Sequence, residues 1–116
     1  MNHTTCTWSE IRNLKGRPLN SPINELIDYV IESELSEYLY VATFLNNIRI
    51  GRSKNFNRND GELTVEHWGE SKEVLFNYYD AEFSKPWKKI CSCEDIIPTF
   101  KHVISKRLRW VQNAES

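Results

Sequence analysis

The sequence has no long apolar run, few cysteines and no excess of charge of one sign. None of its apolar stretches approaches the roughly 20 residues that a membrane-spanning helix needs, and the segment Met1 to Thr7 lacks the basic start and apolar middle of a secretory signal. Its three cysteines are too few, and odd in number, for a disulfide framework. We therefore expect a cytoplasmic protein with reduced thiols and no membrane association.

Motifs of several enzyme classes are also missing. There is no phosphate-binding loop, no serine elbow and no zinc-protease helix. Cys91, Cys93 and His102 are the nearest approach to a set of metal ligands, but they lack a fourth ligand at a recognised spacing. The carboxylates Glu62 and Glu66 have no neighbouring nucleophile or glycine loop that would give them a reaction. The sequence predicts a protein without catalytic residues, metal or cofactor.

The composition is that of one ordinary domain covering residues 1–116, with 40% hydrophobic and 27% charged residues. The net charge of −1 hides separate blocks of charge. Glu25 to Glu37 holds five acidic residues and no base, and Asp60 to Glu82 holds seven acidic residues with Lys72 as the only base. Basic residues gather elsewhere, notably from Lys101 to Arg109. The fold therefore has the means to present separate acidic and basic surfaces.

Helical spacing of apolar residues marks two helices, one towards each end of the chain. Ser21 is a suitable cap for the first, and Pro22 suits its first position. The second is expected from about Asp95, as its cap, to Lys106. A short edge strand is expected around Cys6 to Trp8, and Leu108 to Val111 is expected to be a final extended segment.

Between the helices, two stretches have the composition and alternation of β-hairpins. In the first, Asn46-Asn47 is a plausible turn, which places Leu45 opposite Ile48. In the second, the favoured register places Val65 opposite Phe76. The same alternation puts His67 on the core side. We therefore predict an α+β fold in which an antiparallel sheet of about four to five strands packs with an N-terminal and a C-terminal helix.

The second hairpin has a reverse face, directed away from the core, that combines carboxylates with aromatic rings. Its residues are Glu62, Glu66, Trp68, Glu73, Asn77 and Tyr79. The hairpin supplies no lysine or arginine to this face. The segment from Asp80 to Lys89 is predicted to be a loop that extends the same face with Asp80, Glu82, Phe83 and Trp87. The reverse face is interpreted either as a partner-binding surface or as an ordinary solvated sheet face.

A series of short motifs spans nearly the whole chain. They are, in order, Trp8-Ser9, Asn20 to Asp28, Gly61 to Val65, Asn77 to Asp80, Cys93 to Ile97 and Leu108-Arg109-Trp110. This series resembles the first-numbered immunity protein family of bacterial polymorphic toxin systems. The chain has Asp80-Ala81 where that family often has a glycine pair, and it lacks the usual proline before the closing tryptophan segment.

The resemblance implies a small cytosolic protein that binds and blocks a cognate toxin domain, often a nuclease or a nucleic-acid deaminase, without catalysis of its own. A toxin that grips nucleic acid tends to have a basic cleft, and carboxylates with aromatic anchors suit such a cleft. We expect the ten residues of the reverse face and its adjoining segment to contact the toxin, with Trp68, Tyr79 and Trp87 as anchors. No direct contact with nucleic acid is expected.

Two other classes of function remain open from the sequence alone. A nucleic-acid-binding module would use the basic C-terminal helix, with Lys101, Lys106, Arg107 and Arg109 beside Trp110, but the two acidic blocks oppose this use. An unrecognised enzyme would need a polar pocket that holds carboxylates of shifted pKa. A competing partner surface within the first class is the outer side of the first helix, which carries Glu25, Asp28 and Glu32.

Overall fold

An antiparallel sheet forms the centre of the fold, and the helices pack on one of its faces. The computed structural model describes residues 5–12, 22–44, 47–52, 61–80, 83–108 and 110. The strands follow one another across the sheet in chain order, and each pairs antiparallel with the next. They are β1 (Thr5–Cys6), β2 (Tyr40–Phe44), β3 (Asn47–Gly51), β4 (Glu62–Glu66), β5 (Glu73–Asp80) and β6 (Phe83–Ser92).

Helical segments flank the sheet in the chain. They are α1 (Trp8–Arg12), α2 (Pro22–Glu32), a 3-10 helix (Glu34–Glu37), a 3-10 turn (Cys93–Asp95), α3 (Ile96–His102) and a π-helical segment (Val103–Arg107). The predicted α+β class, with an N-terminal and a C-terminal helix on an antiparallel sheet, is confirmed. No helix within the described ranges has the length and apolar character needed to cross a membrane.

The helix α2 forms where the spacing of apolar residues predicts it. Pro22 occupies its first position, and Ile23, Leu26, Ile27 and Val30 are fully buried against the sheet. Full burial of a side chain of this size contributes roughly 1.5–3 kcal/mol. The predicted cap, Ser21, lies outside the described residues.

The C-terminal helix differs from the prediction at both ends. Asp95 precedes α3, but its Oδ2 accepts a 3.0 Å hydrogen bond from the Ser92 hydroxyl and makes no capping bond to the helix backbone. At the other end the chain keeps winding: the backbone N–H of Leu108 donates to Val103 and that of Trp110 donates to Ile104, both at 2.8 Å. Leu108 has helical backbone angles, so the prediction of an extended segment is wrong there; Val111 lies outside the described residues.

The position of Trp110 gives a physical reason for this continued winding. Its ring meets Tyr78 edge-on, with 6.1 Å between the ring centres, and Arg52 lies over the same ring at 5.7 Å. Aromatic and cation–π contacts of this kind stabilise by about 0.5–1.5 kcal/mol each. The π-helical winding after α3 lets the Trp110 indole reach the sheet. This contact depends on the tertiary fold, so the local sequence does not reveal it.

The register of the β4–β5 hairpin is the predicted one. Val65 lies opposite Phe76, Leu63 lies opposite Tyr78, and the first three of these side chains are fully buried. Helix-side residues such as Phe100 complete the core above them.

The β2–β3 hairpin has the predicted faces but a different register. Thr43, rather than Leu45, lies opposite Ile48. The shift is two residues, so Val41 and Ile50 still point into the core. Asn47 belongs to β3 and not to the turn, because it lies opposite Phe44 in the β2–β3 ladder. Its side-chain Oδ1 accepts a 2.8 Å hydrogen bond from the backbone N–H of His67.

The predicted loop from Asp80 to Lys89 is wrong, because Phe83–Ser92 forms the strand β6. This strand pairs with β5 along most of its length, with an irregularity in the register between Tyr78 and Asp80. Pro86 argued against a strand, since proline cannot donate a backbone hydrogen bond. It is tolerated here because β6 ends the described sheet, where one side of a strand has no ladder to complete.

The beginning of the chain is anchored by a short helix in place of part of the expected edge strand. The strand is limited to Thr5–Cys6, and α1 follows. Thr7 and Glu10 form a capping box: the Thr7 hydroxyl accepts from the Glu10 backbone at 3.1 Å, and Glu10 accepts from the Thr7 backbone at 3.0 Å. This turns the buried Trp8 inward, where its indole N–H donates to the Leu39 carbonyl at 2.9 Å.

Candidate partner-binding face

The structure brings five of the predicted contact residues together on the reverse face of the β4–β5 hairpin. Val65 and Phe76 are buried on the core side, so their alternating neighbours point the other way. Trp68 joins this group from the following loop, because its indole N–H donates to Glu66 at 3.3 Å. The five residues are Glu62, Glu66, Trp68, Glu73 and Asn77.

The other predicted contacts are described only in part. The backbone of Tyr79 pairs with Glu62, and the backbones of Asp80 and Phe83 pair with each other where β5 meets β6. The side chains of these three residues lie outside the described part of the chain, and so does Glu82.

Trp87 does not lie on the reverse face. It pairs with Tyr78, whose ring is on the helix side of the sheet, and it packs partly buried against the core. The prediction that it extends the reverse face is wrong, because the segment is a strand and not a loop. Alternation along β6 places every second side chain on the helix side.

The reverse face also contains positive charge, contrary to the prediction from the hairpin alone. Arg49 of β3 lies opposite Thr64, and its guanidinium is 3.7 Å from the Glu62 carboxylate. The exposed Lys88 of β6 lies opposite Asn77. Neighbouring strands supply both bases, which a single hairpin does not reveal. One of the predicted carboxylates is therefore already paired within the protein.

An apolar patch occupies the part of the reverse face that is formed by β5, β6 and the loop after β4. Leu75 lies opposite Ile90 on one side and Glu66 on the other, and Trp68 contacts Glu66. Trp68 is 52% exposed and Ile90 is 61% exposed, while Leu75 is half-buried. We call Trp68, Leu75 and Ile90 the apolar patch. Large side chains left this open on a sheet surface are typical of interaction sites.

Sequence reasoning missed two of the three patch residues. Ile90 follows the predicted loop, Asp80 to Lys89, and was assigned to no element. Leu75 was left out of the predicted reverse face, although it alternates with the core-facing Val74 and Phe76. The pattern of β-formers at Trp87, Ile90 and Cys91 with two lysines between them was the available signal, since lysine is common on edge strands.

The loop that carries Trp68 is held by contacts from several elements. The Trp68 carbonyl accepts from the Ser71 backbone at 3.1 Å, and the His67 ring contacts the Ser71 carbonyl at 2.7 Å. From outside the loop, the backbone of Cys93 donates to the Lys72 carbonyl at 2.9 Å. A tryptophan on a fixed loop loses little conformational freedom on binding, which favours affinity.

The part of the reverse face formed by β2 and β3 is closed only in part, since Tyr40 is 38% exposed there. Ala42 of β2 and Asn47 of β3 both have 0% exposure, although their neighbours face the core and they themselves are directed to the reverse face. Glu62 is also largely shielded beside Arg49. Trp68 and Ile90 of the apolar patch are thus more exposed than Tyr40 on the same face, and Glu66, Glu73 and Lys88 lie around the patch.

The outer side of α2 is a weaker candidate than its sequence suggests. Asp28 forms an ion pair with Arg12 at 2.6 Å, so one of its three carboxylates is paired. Glu25 and Glu32 are exposed, but Tyr29 beside them is half-buried, and α2 presents no large apolar side chain as open as Trp68 or Ile90. The basic C-terminal helix is partly occupied too, since the Lys101 ammonium lies 5.8 Å over the Tyr29 ring.

The cysteines of β6 and the following turn are free thiols. Burial raises the pKa of the Cys91 thiol. It also raises the pKa of the Cys93 thiol, which is less buried. Cys93 Sγ lies 3.4 Å from the Ser71 carbonyl. Within the described residues, no three His, Cys, Asp or Glu side chains are grouped so as to hold a metal ion.

Comparisons with known proteins found no matching family model, no matching curated protein and no matching solved structure.

Proposed function

We propose that this protein binds and neutralises a toxin domain, of the nuclease or nucleic-acid deaminase type, by forming a tight protein–protein complex. The observation that carries the proposal is the apolar patch of Trp68, Leu75 and Ile90, which stands open on the reverse face between acidic side chains. The resemblance to immunity proteins supplies the class of partner.

The arrangement suits a protein partner with a basic cleft. Trp68 supplies a large anchor on a fixed loop, and tryptophan is enriched among the residues that dominate binding energy. Glu66 and Glu73 flank it and would meet lysine or arginine side chains at the rim of the complex. Rim charges mainly accelerate encounter and set specificity.

Co-expression with a defined partner tests the function. The probe is the C-terminal domain encoded by the reading frame next to the gene for this chain, expressed in a bacterial host with and without it. We expect that domain to arrest growth alone and this chain to restore growth. Restored growth should coincide with a stable one-to-one complex on gel filtration. Arrest that persists with the chain present would reject the proposal.

Matched substitutions locate the site. Trp68→Ala should weaken the complex by about 2 kcal/mol, or roughly 30-fold in Kd. Tyr38→Ala is the control, because Tyr38 is equally exposed, at 57%, but lies away from the apolar patch. Charge reversal of Glu25, Asp28 and Glu32 tests the α2 surface. If that triple variant failed to neutralise the toxin while Trp68→Ala bound normally, the class of function would stand and the site would be wrong.

A nucleic-acid-binding module predicts a different result. Its affinity for DNA or RNA would fall steeply with salt and would depend on Lys101 and Lys106. We expect no such binding, and charge removal at these two lysines should leave growth protection unchanged.

A further inference from the structure

The strand β6 ends the described sheet, and its outer edge carries backbone groups without a neighbouring strand in the described structure. Ile90 projects from this edge strand with 61% of its surface exposed, and Lys88, Lys89 and Ser92 are exposed beside it. An open strand edge is a template for pairing with another strand. Lysines on such an edge either prevent pairing or restrict it to registers that keep them apart.

Symmetry limits the ways in which two copies can pair through this edge. A two-fold axis perpendicular to the sheet makes the two β6 strands antiparallel and keeps both reverse faces on the same side. The axis must then pass through one residue position. A register centred on Lys88 or on Lys89 sets two ammonium groups directly opposite each other, which is unfavourable.

A register centred on Ile90 has no such conflict. Ile90 then faces Ile90 of the second copy, Lys89 faces Cys91, and Lys88 faces Ser92. The charges of β6 thus disfavour the registers centred on Lys88 and Lys89. A register centred on Cys91 would pair only Ile90 to Ser92, because β6 ends at Ser92. The register centred on Ile90 pairs five residues and covers the most exposed apolar side chain of β6. The net charge of −1 adds no strong repulsion between copies.

We propose that the partner of the β6 edge is a second copy of this chain, paired antiparallel in the register centred on Ile90. Leu75 already lies beside Ile90 on the reverse face. Pairing therefore joins the two apolar patches into one stripe, running from Leu75 through both Ile90 side chains to Leu75 of the second copy. This proposal concerns self-association. It shares Ile90 with the proposed toxin-binding patch, but its tests need no toxin.

Disulfide trapping tests the register directly. Residues directly opposite in an antiparallel pair have Cα atoms about 4.5–5.5 Å apart, a separation that a disulfide spans. Ile90→Cys should therefore form a covalent dimer under mild oxidation with glutathione disulfide, beyond any seen with the wild-type cysteines. Lys88→Cys is the matched control. In this register its two copies lie about 13 Å apart along the strands, too far for a bond.

Sedimentation measures the association without cross-linking. The wild type should shift from monomer towards twice the monomer mass as its concentration rises. Ile90→Asp should raise the dissociation constant of the dimer by roughly tenfold or more, because it sets two carboxylates face to face. Trp68→Ala, on the same face but away from the edge, should leave it unchanged.

Two outcomes would overturn the proposal. If the wild type stays monomeric at the highest soluble concentration, the lysines prevent strand pairing at the β6 edge and the proposal is wrong. Cross-linking of Lys88→Cys in preference to Ile90→Cys shows that the copies pair in another register. Circular dichroism of each variant confirms that it is folded, which the exposure of both positions favours.

Discussion

The two faces of the same sheet differ sharply in how they treat apolar side chains. On the helix side, Val65 and Phe76 have no exposed surface and belong to one continuous core. On the reverse face, Trp68 and Ile90 remain more than half exposed, while Ala42 is fully buried. Burial on the helix side stabilises the fold, whereas exposure at one end of the reverse face contributes nothing to it. Exposed apolar side chains that lie close together in this way mark a candidate interaction surface.

The largest expected effect is on the helix side. Val65→Asp places a carboxylate at a fully buried position with no partner and should cost several kcal/mol, on the order of the whole stability of a small domain. Thr64→Asp is the control, because Thr64 points to the reverse face and is only half-buried. We expect it to cost about 1 kcal/mol or less. If chemical denaturation showed the same loss of unfolding free energy for both variants, the proposed difference between the two faces would be wrong.

Two glycines with left-handed backbone angles allow the stability cost of backbone strain to be distinguished from the cost of overpacking. Gly61 has φ of 86° and Gly69 has φ of 58°. A Cβ at Gly61 would collide with the Tyr78 side chain on the helix side, whereas a Cβ at Gly69 would meet nothing within 4 Å. We expect Gly69→Ala to cost about 1–2 kcal/mol from strain alone, and Gly61→Ala about 2–4 kcal/mol from strain and overpacking. Denaturant midpoints of the two variants test this, and a Gly69→Ala loss as large as that of Gly61→Ala would contradict it.

Two adjacent residues of β6, Cys91 and Ser92, allow the reactivity of a thiol to be compared between the two faces of the sheet. Cys91 lies opposite the buried Val74 and packs against the core, and Ser92 is exposed beside it. Burial raises the pKa of the Cys91 thiol, so its reactive thiolate is scarcer than usual at mildly alkaline pH. Alkylation of Cys91 at pH 8 should be slower than alkylation of the cysteine in Ser92→Cys, measured by mass spectrometry of the peptides.

The same shift makes a prediction for stability. An unfolded thiol ionises near its ordinary pKa of about 8.5, before the buried thiol does. The contribution of Cys91 to stability is therefore complete below that pH and is lost as the pH rises through the higher pKa of the folded state. Cys91→Ala should show a smaller alkaline loss of stability than the wild type. An equal loss in both would mean that other groups account for it.

The sequence was sufficient where local pattern and tertiary packing agree. The apolar spacing of α2 and the alternation around Val65 and Phe76 predicted their burial and their register, because a one-residue slip would have turned an apolar set towards solvent. In the first hairpin the same argument identified the faces but not the register. A shift of two residues keeps the faces unchanged, so alternation cannot detect it.

The remaining differences arise where a long-range contact decides the local structure. Pro86 is tolerated in β6 because β6 is the last strand of the described sheet, and that position depends on how all the strands pair. The chain stays wound through Leu108, and the Trp110 ring beyond it contacts Tyr78 and Arg52, which lie far away in the sequence. The candidate site shows the same limit. Trp68 and Glu66 were predicted from one hairpin, whereas Leu75, Ile90 and the bases Arg49 and Lys88 depended on which strands lie beside it.

The smallest expected change in stability belongs to the side chain with the largest expected role in binding. Trp68→Ala removes an indole that is half exposed and has one 3.3 Å hydrogen bond, to the carboxylate of the partly exposed Glu66. Exposed substitutions of this kind usually change stability by no more than about 0.5 kcal/mol. Trp8→Ala is the matched control, because Trp8 is only 4% exposed and donates to the Leu39 carbonyl within the core. We expect it to cost about 3–5 kcal/mol. Thermal denaturation of both variants makes the comparison. A large loss for Trp68→Ala would show that this indole holds the loop together, and its conspicuous exposure would then be incidental to a structural role.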